Sequence, residues 1–183
     1  MKTQIEIEYR ARFNEEKYNK LKKFLKSKAK DLKEDNKDVF FFIAPDKLLK
    51  VVNNISKKNA EIVLKLNKIG KGSDFEEITI PIKQKYVDKA VRLFTEINLT
   101  DNIMHSFQKR HNYFYKGVEI ALKFSNIWGH HLELEKVISD INKKNESEKL
   151  IQKIVKELNI KIMTDKELKK FTKNAEEKYK KTK

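Results

Sequence analysis

Residues 5–12 read IEIEYRAR, with Glu6, Glu8, Arg10 and Arg12 at every second position and Ile5, Ile7, Tyr9 and Ala11 between them. A strand repeats its side-chain direction every two residues. The spacing therefore predicts a strand with two carboxylates and two guanidiniums on one face and an apolar set on the other. Residues 130–135, HHLELE, repeat the device: Glu133 and Glu135 lie two apart, with Leu132 and Leu134 between them. A solvated face laced with surface ion pairs accounts for either stretch alone. Two such strands in one small domain are harder to leave on a surface. Four carboxylates on facing strands repel one another unless a divalent cation or basic side chains sit between them.

Basic groups are available on the intervening segments. Lys50, Lys65, Arg110 and Lys123 each fall on an alternating stretch. Only four of the 42 basic residues are arginine (Arg10, Arg12, Arg92 and Arg110). The planar fork of arginine grips phosphate or carboxylate in a bidentate way that lysine cannot match, so arginines kept in a lysine-rich chain point to geometry. A closed antiparallel barrel of about eight strands has an interior wide enough for a small polar ligand. Carboxylates on one side, holding Mg²⁺ or Mn²⁺, and a lining of Lys and Arg would suit a polyphosphate chain.

The element order supports such a sheet. After the first strand, Asn14 precedes a helical stripe of Tyr18, Leu21, Leu25 and Leu32. DVFFFIAP (38–45), KLLKVVNN (47–54), AEIVLKLNK (60–68) and FEEITIPI (75–82) read as four strands, with GKGSD (70–74) a loop. Glu61, Val63, Lys65 and Asn67 share one face, as do Glu77 and Thr79. Residues 84–98 turn helical, and SFQKRHNYFY, GVEIALKF and HHLELEKVI form three more strands. Two helices close the chain, the second opened by a capping box from Thr164 to Glu167. Hairpins without regular strand-helix alternation favour an antiparallel α+β fold.

With 183 residues, of which 39% are hydrophobic, the chain is expected to form one domain over residues 1–183. Its core would span 1–136 and its helical extension 137–183. No apolar run approaches the length of a membrane span and no signal-peptide core opens the sequence, so a cytoplasmic protein is expected, without membrane contact. The absence of cysteine excludes disulfides and thiol catalysis. A net charge of +15 invites a nucleic-acid reading, yet the excess lysine is spread along the chain. No specific nucleic acid is expected, and the protein should be a monomer or homodimer. His131 shares the face of the late carboxylates; Trp128 reads as an anchor for its turn, and Phe40 to Phe42 as core.

Taken together, these motifs resemble a known family. EIEYR is similar to the ExExK signature of the CYTH, or triphosphate tunnel metalloenzyme, domain, and GHHLELE to that family's late G-x-x-x-E-x-E strand. DVFFF, LLKVV, LKLNK, QKRHNY and VEIALK fall in the expected order between them. The resemblance implies an eight-stranded antiparallel closed β-barrel, or tunnel, with flanking helices and two C-terminal helices. It implies Glu6 and Glu8 as ligands of Mg²⁺ or Mn²⁺, joined by Glu133 or Glu135. Arg10 stands at the signature lysine and is expected to act with Glu6 and Glu8 in catalysis. Arg10, Arg12, Lys50, Lys65, Arg110 and Lys123 would bind substrate, and Glu77 matches an acidic position. Three positions depart from the pattern: Val52 replaces an arginine, Gln108 a lysine and Lys123 an aspartate.

The activity expected on this basis is metal-dependent hydrolysis of a small molecule carrying a triphosphate, such as thiamine triphosphate, inorganic triphosphate or a nucleoside triphosphate. The alternatives are a class IV-type adenylyl cyclase and a phosphate-ligand binding module without turnover.

Overall fold

The computed structural model describes residues 5–66, 74–75 and 77–180. The two motif strands, β1 (Ile5–Arg12) and β10 (Gly129–Ile138), are neighbours. They pair antiparallel in a register that sets Glu8 opposite Glu135 and Arg10 opposite Glu133. As the alternation requires, Ile7, Ala11, Leu132 and Leu134 are buried on the other face of the pair.

Asn14 caps α1 (Glu15–Lys28) by accepting a 2.9 Å hydrogen bond from the Lys17 amide. The helix buries Leu21 and Leu25. It does not extend to Leu32 as the stripe predicts. One turn after Leu25 the sequence offers only Lys28 and the small Ala29, and at Ala29 the backbone turns extended and ends the helix. The chain instead forms a short strand, β2 (Lys30–Glu34), along the edge of a later one.

Strands β3 (Lys37–Ile43), β4 (Leu48–Asn54), β5 (Asn59–Lys65), β6 (Asp74–Phe75) and β7 (Glu77–Ile82) follow, then α2 (Val87–Glu96), β8 (Ile103–Tyr115) and β9 (Val118–Ser125). The antiparallel path is β6-β1-β10-β9-β8-β3-β4-β5-β7, with β2 on β8. Its two ends are consecutive pieces of chain, so the sheet curls back on itself. No ladder joins β6 to β7 among the described residues, so the barrel is open along this line. The expected GKGSD loop, apart from Asp74, and Asn67 lie outside the described residues.

Helices cover the convex side. Leu21 and Leu25 of α1, and Ile151 and Ile154 of α3 (Lys144–Glu157), pack on Ile7, Ile120, Leu122, Leu132 and Leu134. Val87 and Ala90 of α2 pack on Phe42, Leu49 and Val51. The Thr164 to Glu167 box forms, the Glu167 carboxylate accepting from the Thr164 amide at 2.8 Å and the Thr164 hydroxyl from the Glu167 amide at 3.2 Å. It opens α4 (Asp165–Lys180), which runs past the rim of the curled sheet. There Phe171 meets Trp128 edge-on, and the Tyr179 hydroxyl accepts a 3.1 Å hydrogen bond from the His105 amide. Among the described residues, no helix is long and apolar enough to cross a membrane.

Candidate phosphate and metal site

The concave face encloses a cavity of about 300 Å³ lined by eight of the strands. Glu6, Glu8, Arg10, Lys50, Lys65, Glu77, Arg110, Lys123, Glu133 and Glu135 all reach it. Arg10 is the centre of its charge network. Its Nη2 lies 2.5 Å from Glu8 Oε1, and its Nε donates to Glu133 Oε1 at 3.1 Å. The question of what separates the carboxylates of β1 and β10 therefore has a partial answer: a guanidinium holds Glu8 and Glu133 apart.

Glu133 is the most heavily compensated acid of the cavity. Lys123 donates to its Oε2 at 2.9 Å, and Nη1 of Arg110 lies 3.8 Å from the same oxygen. Burial opposes ionisation, but Lys123, Arg10 and Arg110 outweigh it and hold the carboxyl well below the usual range. Glu6 and Glu135 behave in the opposite way. Burial, followed by the repulsion of Glu8, pushes Glu6 up to about 8 and Glu135 to about 7. Glu6 has no hydrogen bond or ion pair among the described residues, and Glu8 Oε2 is buried without a hydrogen bond, 3.7 Å from the Lys65 ammonium. Lys65 also pairs with Glu77.

Hard oxygens of Glu6, Glu8 and Glu135 on one wall fit a divalent cation by donor chemistry, and Glu8 Oε2, buried with the Lys65 ammonium 3.7 Å away but without a hydrogen bond, has coordination capacity left. Their side chains are not gathered: no three acidic or histidine groups among the described residues converge as a ready-made metal cluster. Glu133 does not fit, because its oxygens are taken by Arg10 and Lys123.

On the cationic side, Lys50 stands out. Its ammonium lies in the cavity with no hydrogen bond or ion pair among the described residues, and burial together with Lys65 lowers it to about 8. Arg12, placed among the phosphate ligands by the motif, lies outside the cavity. Its guanidinium stacks 3.8 Å from the centre of the Phe171 ring, because the strand runs out at the rim where α4 passes. Val52 joins Val39 and Val63 in an apolar patch on the inner face.

Several residues were not legible as site residues in the sequence. Asp35, buried just after β2, accepts from Asn54 at 2.6 Å and lies 2.9 Å from Lys57 and 3.3 Å from Arg110. With Asn112, whose side-chain oxygen accepts from Arg110 Nε at 2.7 Å, it fixes the Arg110 fork. No local pattern marks it, since apart from Lys37, 3.5 Å away, its partners are distant in sequence. Phe41, read as core, faces the cavity; Phe42, its neighbour, is core. Trp128 anchors its turn through the amide, which donates to Ser125 Oγ at 3.1 Å, while its ring faces the cavity beside His131. The Gly129 carbonyl lies 3.0 Å from His131 Nδ1 and can only accept, so Nδ1 carries the proton of a neutral ring.

These buried groups set an acid limit. Burial and the nearby Lys123 lower His131 from 6.5 to about 3, whereas Asp35, despite its burial, is drawn from 3.8 to about 2 by Lys37, Asn54, Lys57 and Arg110. Both groups take up protons more readily in the unfolded chain. Their contributions are therefore complete above the free values and are lost as pH falls, from about 6.5 toward 3 for His131 and from about 3.8 toward 2 for Asp35. Glu6 and Glu135, raised to about 8 and about 7, act in the opposite sense above their free value of 4.5, so a melting series from pH 7 to 3 is expected to show its clear fall below about pH 4.5, and a His131→Phe variant to gain stability relative to wild type as pH falls from 6.5 to 4. Identical slopes would remove His131 from the account.

No family model matches the chain, and no curated protein matches it. Solved structures do. The PH1012 protein of Pyrococcus horikoshii OT3 aligns with a TM-score of 0.69 and 24% identity over 85% of this chain and 91% of that one. HpAC1 of Hippeastrum, described as a candidate adenylyl cyclase with a dominant triphosphatase activity, aligns at 0.60 and 18%, over 87% and 89%. The mimivirus capping-enzyme triphosphatase aligns at 0.50 and 18%, over 82% and 89%. At these identities the likeness is one of fold: this chain has the triphosphate-tunnel fold that its first and last strand motifs resemble.

Proposed function

We propose that the protein is a divalent-metal-dependent hydrolase of a small molecule that carries a triphosphate. The observation that carries this reading is Lys50, an ammonium without an acidic partner among the described residues, in a cavity shared with Arg10, Lys65, Arg110 and Lys123. A buried unpaired cation is costly unless an anion completes it, and a polyanion satisfies several such groups at once. The fold shared with HpAC1 and the mimivirus enzyme, both described as triphosphatases, supports the same reading.

Glu6, Glu8 and Glu135 would hold the cation, Mg²⁺ or Mn²⁺. When bound it neutralises phosphate charge and polarises the phosphoryl oxygens. The chain's own contribution is positioning. Asp35 and Asn112 orient Arg110, and Glu133 holds Arg10 and Lys123 against the floor. The ion pairs of Arg10 use Nε and Nη2, which leaves the Nη1 side of its fork for a phosphate oxygen. Together these cations offset the charge spread over the equatorial oxygens of a loose phosphoryl-transfer transition state, while a water in line attacks the terminal phosphorus.

Arg10→Lys tests the fork at constant charge. Turnover is expected to fall tenfold to a hundredfold, corresponding to about 1–3 kcal/mol of transition-state stabilisation. The melting temperature should change little, since Glu8 retains Lys65 and Glu133 retains Lys123 and Arg110. Unchanged turnover would make Arg10 an ordinary ion-pair partner.

The reading itself is tested by incubating the protein with tripolyphosphate, thiamine triphosphate and ATP, with Mg²⁺ or Mn²⁺, and scoring phosphate, pyrophosphate and cyclic AMP. Release of phosphate is expected. Pyrophosphate together with cyclic AMP would select a cyclase. Tight binding without product would select a binding module, a reading favoured by the valine patch at Val52 and by the Lys123 to Glu133 pair, which reduce the cations free for phosphate.

A further inference from the structure

A second cavity, of about 430 Å³, lies between the inner rim of the sheet and α4. Its wall differs from that of the charged cavity. Phe41, Leu48, Met104 and Trp128 come from the sheet side, and Thr172 and Ala175 from the helix. Phe41, Leu48 and Trp128 line both cavities, so the two spaces share a wall and adjoin. What sets this space apart is its largely apolar lining directly beside the charged cavity, the combination typical of a small-molecule site. Its floor is made of aromatic rings and a thioether, groups that stack on or pack against flat π-systems.

We infer that this chamber receives a planar aromatic group attached to the triphosphate, so that the substrate is an aromatic triphosphate ester and not free polyphosphate. The inference rests on the phosphate reading of the adjoining cavity. The rim favours a neutral ring over a cationic one. Lys169 and Lys173 stand there, and the one carboxylate of the wall, Glu176, already accepts a 3.0 Å hydrogen bond from Asn102. A nucleobase meets this description better than the thiazolium of thiamine.

Trp128 is the sole tryptophan of the chain, so its fluorescence reports on the shared wall directly. The test titrates the protein with tripolyphosphate, ATP and thiamine triphosphate, each with Mg²⁺, following Trp128 emission and heat of binding. ATP is expected to bind at least tenfold more tightly than tripolyphosphate. In Thr172→Phe, which fills the chamber from a half-buried helix position, that preference should shrink to less than threefold while tripolyphosphate affinity stays within twofold. A preference for thiamine triphosphate that Thr172→Phe abolishes would keep the chamber and overturn the neutral-ring assignment. Equal affinity for all three compounds, or a preference that survives Thr172→Phe, would overturn the chamber and leave the phosphate reading intact. Failure of tripolyphosphate itself to bind would refute the phosphate reading, and this inference with it. Circular dichroism of Thr172→Phe confirms that the comparison is made on folded protein, and Thr172→Leu provides a second filling variant.

Discussion

Glu8→Ala is expected to lower metal-dependent turnover by at least about a hundredfold, the scale associated with removing a preorganised charged group from a phosphoryl-transfer site. Glu8 carries the buried oxygen without a hydrogen bond and faces Glu135 across the ladder, so its loss removes the middle of the proposed acidic wall. The fold should survive. Arg10 keeps Glu133 and Lys65 keeps Glu77, so no cation is stranded. Turnover at saturating Mg²⁺, calorimetric Mg²⁺ affinity and a thermal melt separate the possibilities. A folded variant with wild-type Mg²⁺ affinity and wild-type turnover would show that the wall is a structural charge network only.

Glu133→Ala should act in the opposite sense, on stability first. Arg10, Lys123 and Arg110 converge on this carboxylate, and its removal leaves buried positive charge uncompensated. Breaking a buried ion pair from one side costs about 3–5 kcal/mol. For a chain of this size that corresponds to a fall of roughly 6–20 °C in melting temperature. Adding Lys123→Met to Glu133→Ala should recover part of the loss, because one of the stranded charges is removed with a side chain of similar length. A melting temperature within 2 °C of wild type for Glu133→Ala would show that solvent reaches these cations and that the clamp is weaker than its distances imply. The contrast between the two glutamates separates carboxylates that wait for a cation from one already surrounded by them.

Much of this was legible in the residues. Strict alternation over IEIEYRAR and HLELE fixes which side chains face inward, because a one-residue slip would expose Ile7 and Leu134 and bury the wrong set. The same periodicity placed Lys50, Lys65, Arg110 and Lys123 in the cavity. What the alternation does not carry is depth along the strand, which is why Arg12, in phase with Arg10, ends at the rim on Phe171. It also does not carry partners between distant segments. Asp35 gathers Asn54, Lys57, Arg110 and Asn112 only once the sheet has curled. The division between Glu133 and its neighbours has the same origin: Glu133 and Glu135 look alike in sequence, and the register with β1 gives the first to Arg10 and sets the second against Glu8. Leu32 has helical spacing from Leu25, but the turn between them holds only Lys28 and Ala29, so the spacing alone does not carry the helix across and Leu32 stands on β2.

The charged groups of the cavity all stand on strands, whereas α4, the last element of the chain, contributes none of them. The charges proposed to meet phosphate thus stand on strands, while α4 supplies one side of the adjoining wall and Phe41, Leu48 and Trp128 belong to both spaces. Substitutions along one face of a terminal helix can resculpt that wall without shifting the register of any strand, since no ladder runs through it. On the proposed reading, such substitutions would alter which organic group the adjoining space admits and leave the strand-borne charges in place.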